Sequence, residues 1–371
     1  MVLLLELVRG LSALWVALFH LEHLIQDAPA LLIKFFSYGY LGVAMFFVVS
    51  GYVITLSAES SRSNNRPPTI FLRNRFLRIY PAFWCSVVVV AGIPFAAEGL
   101  SALKTGEFHF PRTFITTFDV ADWIKLLSLT QVFEAESFDL YAQFKSVNAV
   151  YWSLAIEFQF YLVIFLGLYL GKYYRWYIAI VSVVCVALMY FRTNLNYGLF
   201  VHHWPAFAVG VAVAYMHKAN WRFTLSRGLS TLVFPVLYVL GVFVVYRLLP
   251  QHYNRLPLAF AVGVAGFLWF FADAETFLQA KKRSGGYVTR NFLQLWLVMG
   301  AMSYSVYLLH LKVFLLPEMV LRQIMAPEGP LFALLTLLAT LALCYPFYYF
   351  IERRFLSSNY KKIHKAVLDR G

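Results

Sequence analysis

The stretch AVYWSLAIEFQFYLVIFLGLYLG (residues 149–171) sets the class of this protein, because its 23 residues carry a single charge, Glu157. At a rise of about 1.5 Å per residue, some 20 apolar residues cross the ~30 Å hydrocarbon core of a bilayer. Similar runs lie at 5–25, 36–57, 82–98, 176–191, 198–216, 229–249, 257–272, 292–316 and 330–351, giving ten predicted crossings. The whole chain agrees with this reading. Of 371 residues, 61% are apolar and 13% charged, and the mean hydropathy is +0.68. Soluble domains carry about 25% charged residues. So little charge excludes a disordered chain, a collagen-like fibre and an ordinary cytosolic enzyme. The expected fold is an all-α polytopic membrane protein, one transmembrane domain over 1–371.

The net charge of +13 then needs an explanation other than nucleic acid. With the N-terminus in the cytoplasm, 20 of the 31 Lys and Arg residues fall in inside loops and 9 in outside ones. That asymmetry is the positive-inside bias, and an even number of crossings places both termini in the cytoplasm. A basic cytoplasmic tail is expected over 356–371, and no nucleic-acid partner is implied. The first run follows Glu6 and Arg9 and contains His20, which reads as a retained helix rather than a cleaved leader. Cys85, Cys185 and Cys344 lie in apolar runs. They suggest neither a disulfide framework nor a metal site, so no metal is expected. The connection 99–148 is the longest, and Trp123 to Leu129 is apolar enough to fold back onto the membrane.

Ionisable groups inside a span are costly and mark candidate sites. His20, Glu157 and His310 lie about 7, 12 and 9 Å below the outer ends of their spans, if each runs straight. Three distant segments thus offer two imidazoles and a carboxylate at similar depth. The structural alternatives are a histidine that bonds two helices, a Glu157 paired with Arg9 or Lys312, and a Lys312 that reaches the interface. A second cluster, TIFLRNRFLRIYPAFW (residues 69–84), interleaves Arg73, Arg75 and Arg78 with large apolar residues. It reads as an interfacial segment. Its arginines suit either anionic membrane lipids or a phosphorylated ligand held by bidentate guanidinium contacts.

These motifs together resemble the membrane-bound acyltransferase-3 family. ELVRGLSALWVALFH supplies an acidic residue, Arg9 and His20 in the family's opening order. YGYLGVAMFFVVSGYVIT resembles its glycine-rich second helix, with Ser50 and Tyr52 around Gly51. FLRNRFLRIYPAFW, YWSLAIEFQFYL, FAVG, SYSVYLLH and IERRF follow in the same order, so the resemblance spans 6–355. The chain departs from the family pattern at Ala44, where an acidic residue is common, and near Val313 and at Arg354, where prolines are. It also resembles the stand-alone members, which have no fused esterase-like domain.

The resemblance implies an O-acyltransferase that moves an acyl group, usually acetyl, from acetyl-CoA to a hydroxyl. The expected acceptor is a glycan, lipid-linked saccharide or other extracytoplasmic molecule, and the expected location is the bacterial inner membrane. Arg73, Arg75 and Arg78 would hold the phosphates of acyl-CoA, and Arg9 would line the path of its arm. A hydroxyl near pKa ~15 needs a base, and imidazole is suited to neutral pH. His20 is assigned that role, with Glu157 orienting it. Ser50, Tyr52, Trp152 and His310 are candidate substrate contacts. The competing class is a proton-coupled transporter with His20 and Glu157 as a relay.

Overall fold

A computed structural model describes residues 2–136, 140–191, 195–221, 227–248 and 255–356. The described residues form helices and no strand. In chain order these are α1 (Val2–Phe19), α2 (Ala30–Ser37), α3 (Gly42–Ser63), α4 (Pro68–Thr105), α5 (Phe114–Thr117) and α6 (Val120–Ser128). Then come α7 (Leu140–Gln143), α8 (Trp152–Leu168), α9 (Tyr174–Tyr190), α10 (Trp204–Lys218), α11 (Arg227–Leu248) and α12 (Arg255–Phe270). The last are α13 (Ala274–Ser284), α14 (Tyr287–Ala301), α15 (Ser303–Val313), α16 (Leu315–Leu321) and α17 (Pro330–Phe350).

Among the described residues five helices are long and apolar enough to cross a membrane, and seven if two bent pairs each count as a crossing. The expected ten are not reproduced. Part of the reason is length: α10 and α12 have 15 and 16 residues, short of the ~20 a crossing needs. The other part is bending. α12 and α13 meet at 66°, and α14 and α15 at 73° across Met302, so the run 292–316 is not a straight rod. The depth expected for His310 assumed one. The basic tail beyond Leu356, and Arg192 and Arg222 among the loop charges, lie outside the described residues.

The arginine segment is not a separate interfacial piece. It is the first part of α4, which begins on Pro68 after Pro67 and ends at Gly106 in a left-handed conformation (φ 77°). A proline at the first helical position and a glycine just past the last are the residues that start and stop a helix at least cost. The 38 residues between them span about 57 Å, far more than the hydrocarbon core. The loop helix α6 folds back onto α4. Its Leu126 is fully buried, and Tyr80 and Trp84 of α4 donate to the carbonyls of Ser128 and Leu127 at 3.1 and 3.0 Å.

α3 is the centre of the bundle, packed on α1, α8, α10 and α12. Its crossing with α10 is made at glycines: a Cβ on Gly51 would strike the Phe207 carbonyl oxygen, and one on Gly210 that of Val48. Backbones this close exploit dispersion where lipid offers no hydrophobic drive. Beyond the crossing, buried Glu59 of α3 pairs with Arg62 (2.7 Å), with Arg175 of α9 (2.8 Å) and with Lys218 of α10. The same acid therefore ties three helix ends together.

Candidate active site

α1, α3, α4, α8 and α15 enclose a cavity of about 120 Å³. Arg9, Ser50, Arg75, Arg78 and Glu157 all line it, together with Tyr161 and Tyr304. On α8 the 3.6-residue period sets Glu157 and Tyr161 on one face. Glu157 accepts hydrogen bonds from Ser50 Oγ at 2.7 Å and from the Tyr161 hydroxyl at 2.6 Å. Two neutral donors thus hold a half-buried carboxylate on the cavity wall.

The arginines differ in what they already hold. Arg9 pairs with Glu6 one turn earlier, at 3.5 Å. Arg78 forms an ion pair with Glu352 at 2.9 Å and lies over the Tyr304 ring. Glu352 is fully buried and also accepts from the backbone N–H and the hydroxyl of Ser305, at 3.0 and 2.6 Å. Arg75 reaches Ser57 Oγ at 3.2 Å, and its Nε is buried without a partner. An unused guanidinium donor beside a cavity is a place where an anionic oxygen fits, since leaving it unpaired costs energy.

Tyr307, on the cavity wall, hydrogen-bonds to Ser153 at 2.5 Å and packs on Phe46, whereas His20 and His310 do not line the cavity. Past Tyr307 lies His310, and against His310 lies His20, ring centroids 5.2 Å apart. His310 is fully buried; His20 is partly exposed.

A family model described as an acyltransferase domain, Acyl_transf_3, matches residues 3–349. The chain belongs to the acyltransferase-3 family. The chain is similar to a peptidoglycan O-acetyltransferase, OatA, of Listeria monocytogenes. The two are 33% identical over 129 residues, 34% of this chain and 19% of that protein. It is also similar to protein 2 of the picA locus of Rhizobium radiobacter, 27% identical over 139 residues, 32% of this chain and 69% of that one. The chain therefore matches about a fifth of the length of the Listeria protein. No solved structure matches it.

The family's arginine motif places two of its three arginines in the cavity. Arg75 and Arg78, three apart, share a helix face, while Arg73 is turned away and exposed. Ser50 lines the cavity, but Tyr52, two residues on, faces α10 and contacts His217 at 3.2 Å. Trp152 packs instead on His203 and Phe47. Glu157 sits with Ser50 and Tyr161, and the His20 ring lies against that of His310. The expectation was that Glu157 orients His20; the hydrogen bonds seen on Glu157 come from Ser50 and Tyr161. Tyr161, Tyr307 and Glu352 were not singled out from sequence. All three lie inside motifs already quoted, and Tyr161 was accessible from its i+4 spacing to Glu157.

Proposed function

We propose that this acyltransferase carries an acetyl or related acyl group from coenzyme A to a hydroxyl of a glycan or lipid-linked saccharide outside the membrane. The observation that carries this reading is the cavity, with Arg75's unused buried donor at one part of its wall and the two histidines beyond Tyr307. Its volume suits a slender chain rather than a nucleotide. The phosphate-bearing head of acyl-CoA would rest on the Arg75 and Arg78 side, and the pantetheine arm would run past Arg9 toward His20. There His20 takes the proton of the acceptor hydroxyl as the oxygen attacks the thioester carbon. Glu157 orders Ser50 and Tyr161 along the arm's path and keeps the wall beside the arginines polar.

The name of the Listeria relative, a peptidoglycan O-acetyltransferase, supports acetyl as the group and a cell-envelope sugar as the acceptor. The excess of basic residues in alternate loops supports cytoplasmic termini and a bacterial inner-membrane location. The hydrogen bonds on Glu157 come from Ser50 and Tyr161, which supports a wall-ordering role rather than the relay that the transporter alternative requires. The test is acetyl transfer from acetyl-CoA by the purified protein in detergent, with mass spectrometry of envelope glycans from cells with and without the protein. Absence of both transfer and a glycan difference overturns the reading.

A further inference from the structure

Glu59, near the end of α3, accepts from more cations than one carboxylate can neutralise. Arg62 Nη1 reaches its Oε1 at 2.7 Å, Arg175 Nη2 reaches its Oε2 at 2.8 Å, and Lys218 Nζ donates to Oε2 as well. The Tyr215 hydroxyl adds a neutral donor at 3.2 Å. Among the described residues no other carboxylate pairs with these cations, so three positive groups against one negative leave two charges in excess. We propose that this cluster, where the ends of α3, α9 and α10 meet, is a binding site for a phosphate group, carried by an anionic lipid or by a soluble phosphate ester.

The excess charge faces outward. The Glu59 side chain is 5% exposed, against 57% for Arg175 and 44% for Lys218, so the acid lies behind its cations. An open cavity of about 390 Å³ lies there, with Lys218 on its wall beside Tyr52, Ser60 and Ser63. Lys218 spends one of its three ammonium donors on Glu59. The other two, with the Ser60 hydroxyl, are donors that phosphate oxygens take, and charge-assisted bonds of this kind are about twice as strong as neutral ones. A phosphate there also relieves the mutual repulsion that a single buried acid leaves among three cations.

The guanidiniums are held in place by the protein itself. Arg62 also donates to the Gly171 carbonyl at 2.9 Å and lies over the Tyr174 ring, and Arg175 lies over that of Tyr215. Such preorganisation lowers the cost of binding. No described residue lines both this cavity and the one that holds Arg75, and the two occupy opposite faces of α3, so occupancy of one does not require the other. Around the start of α9, Tyr173 and Trp176 flank Arg175 with exposed rings. Such residues sit at the headgroup level of a bilayer, which is the depth at which a lipid phosphate meets the cluster.

The test follows the thermal midpoint of the full-length protein in neutral detergent, with phosphatidylglycerol, phosphatidylcholine or inorganic phosphate added in separate titrations. Phosphatidylglycerol is expected to raise the midpoint more than phosphatidylcholine, whose choline cancels the charge. Lys218→Gln removes the ammonium facing the cavity. Ser63→Asp sets a carboxylate on the cavity wall and leaves every partner of Glu59 in place. Each is expected to raise the ligand concentration needed by about tenfold, the low end for a hydrogen bond to a charged group. Lys281→Gln, which removes an exposed cation on α13, is expected to respond as the unaltered protein does. Each rise is read against the same variant without ligand, so lost stability alone does not imitate the result. A response to inorganic phosphate that both site variants weaken makes a soluble phosphate sufficient, and a response to phosphatidylglycerol alone identifies the lipid. No response to either ligand, a response that either site variant leaves intact, or one that Lys281→Gln weakens equally overturns the site.

Discussion

Arg73 and Arg75 are two residues apart on α4 and meet different surroundings, one exposed and one on the cavity wall. Arg75→Ala is expected to raise KM for acyl-CoA by the equivalent of about 1.5–3 kcal/mol, the worth of a charge-assisted hydrogen bond. Arg73→Ala is expected to leave it nearly unchanged in detergent. Equal effects in steady-state kinetics would mean that lipid, not donor, is the ligand. His20→Ala is expected to abolish transfer while acyl-CoA binding, followed by calorimetry, persists. Glu352 has a purely local task of comparable weight. Glu352→Ala strands Arg78 and the Ser305 donors, and loss of one partner of a buried pair costs about 3–5 kcal/mol. A large fall in the thermal midpoint in detergent is the expected result.

At the scale of helices, the close crossing of α3 and α10 sets where Ser50 meets Glu157. Gly210→Ala would push the α10 backbone off Val48, and such overpacking costs about 1–3 kcal/mol. Gly92 on α4 provides the control, since nothing lies within 4 Å of a Cβ built there. Gly92→Ala is expected to be neutral or to stabilise by up to about 1 kcal/mol through helix propensity. Thermal melts of the two variants separate the effects, and equal melts would refute the crossing as a tight contact. The sequence located α8 and α17 well, because long apolar runs bounded by charges or prolines leave little choice. Among the described residues five to seven helices or bent pairs are long and apolar enough to cross, against the ten runs read from hydropathy, which measures length along the chain and not the direction of an axis. The turn at Met302 is decided by how α14 and α15 pack on α1, which no local residue announces.

For the whole molecule, the proposal requires donor and acceptor on opposite faces. Proteoliposomes of known orientation are expected to transfer acetyl only when acetyl-CoA faces the Arg75 side, with product on the other. Transfer that needs both in one compartment would make the site open to the cytoplasm alone. By itself the sequence determined the membrane class, the helical content and the family. These follow from composition, from apolar run length and from ordered motifs, all of which are written along the chain. It also named Arg9, Arg75, Arg78 and Glu157, the charged residues that line the cavity, because charge inside a span is rare and conspicuous. Tertiary structure alone decided their partners. Glu157 bonds Ser50 across 107 positions, Arg78 meets Glu352 beyond the last long helix, and His20 rests on His310. Rotation about a helix axis and the meeting of distant helices depend on packing summed over the bundle. No local spacing encodes that sum.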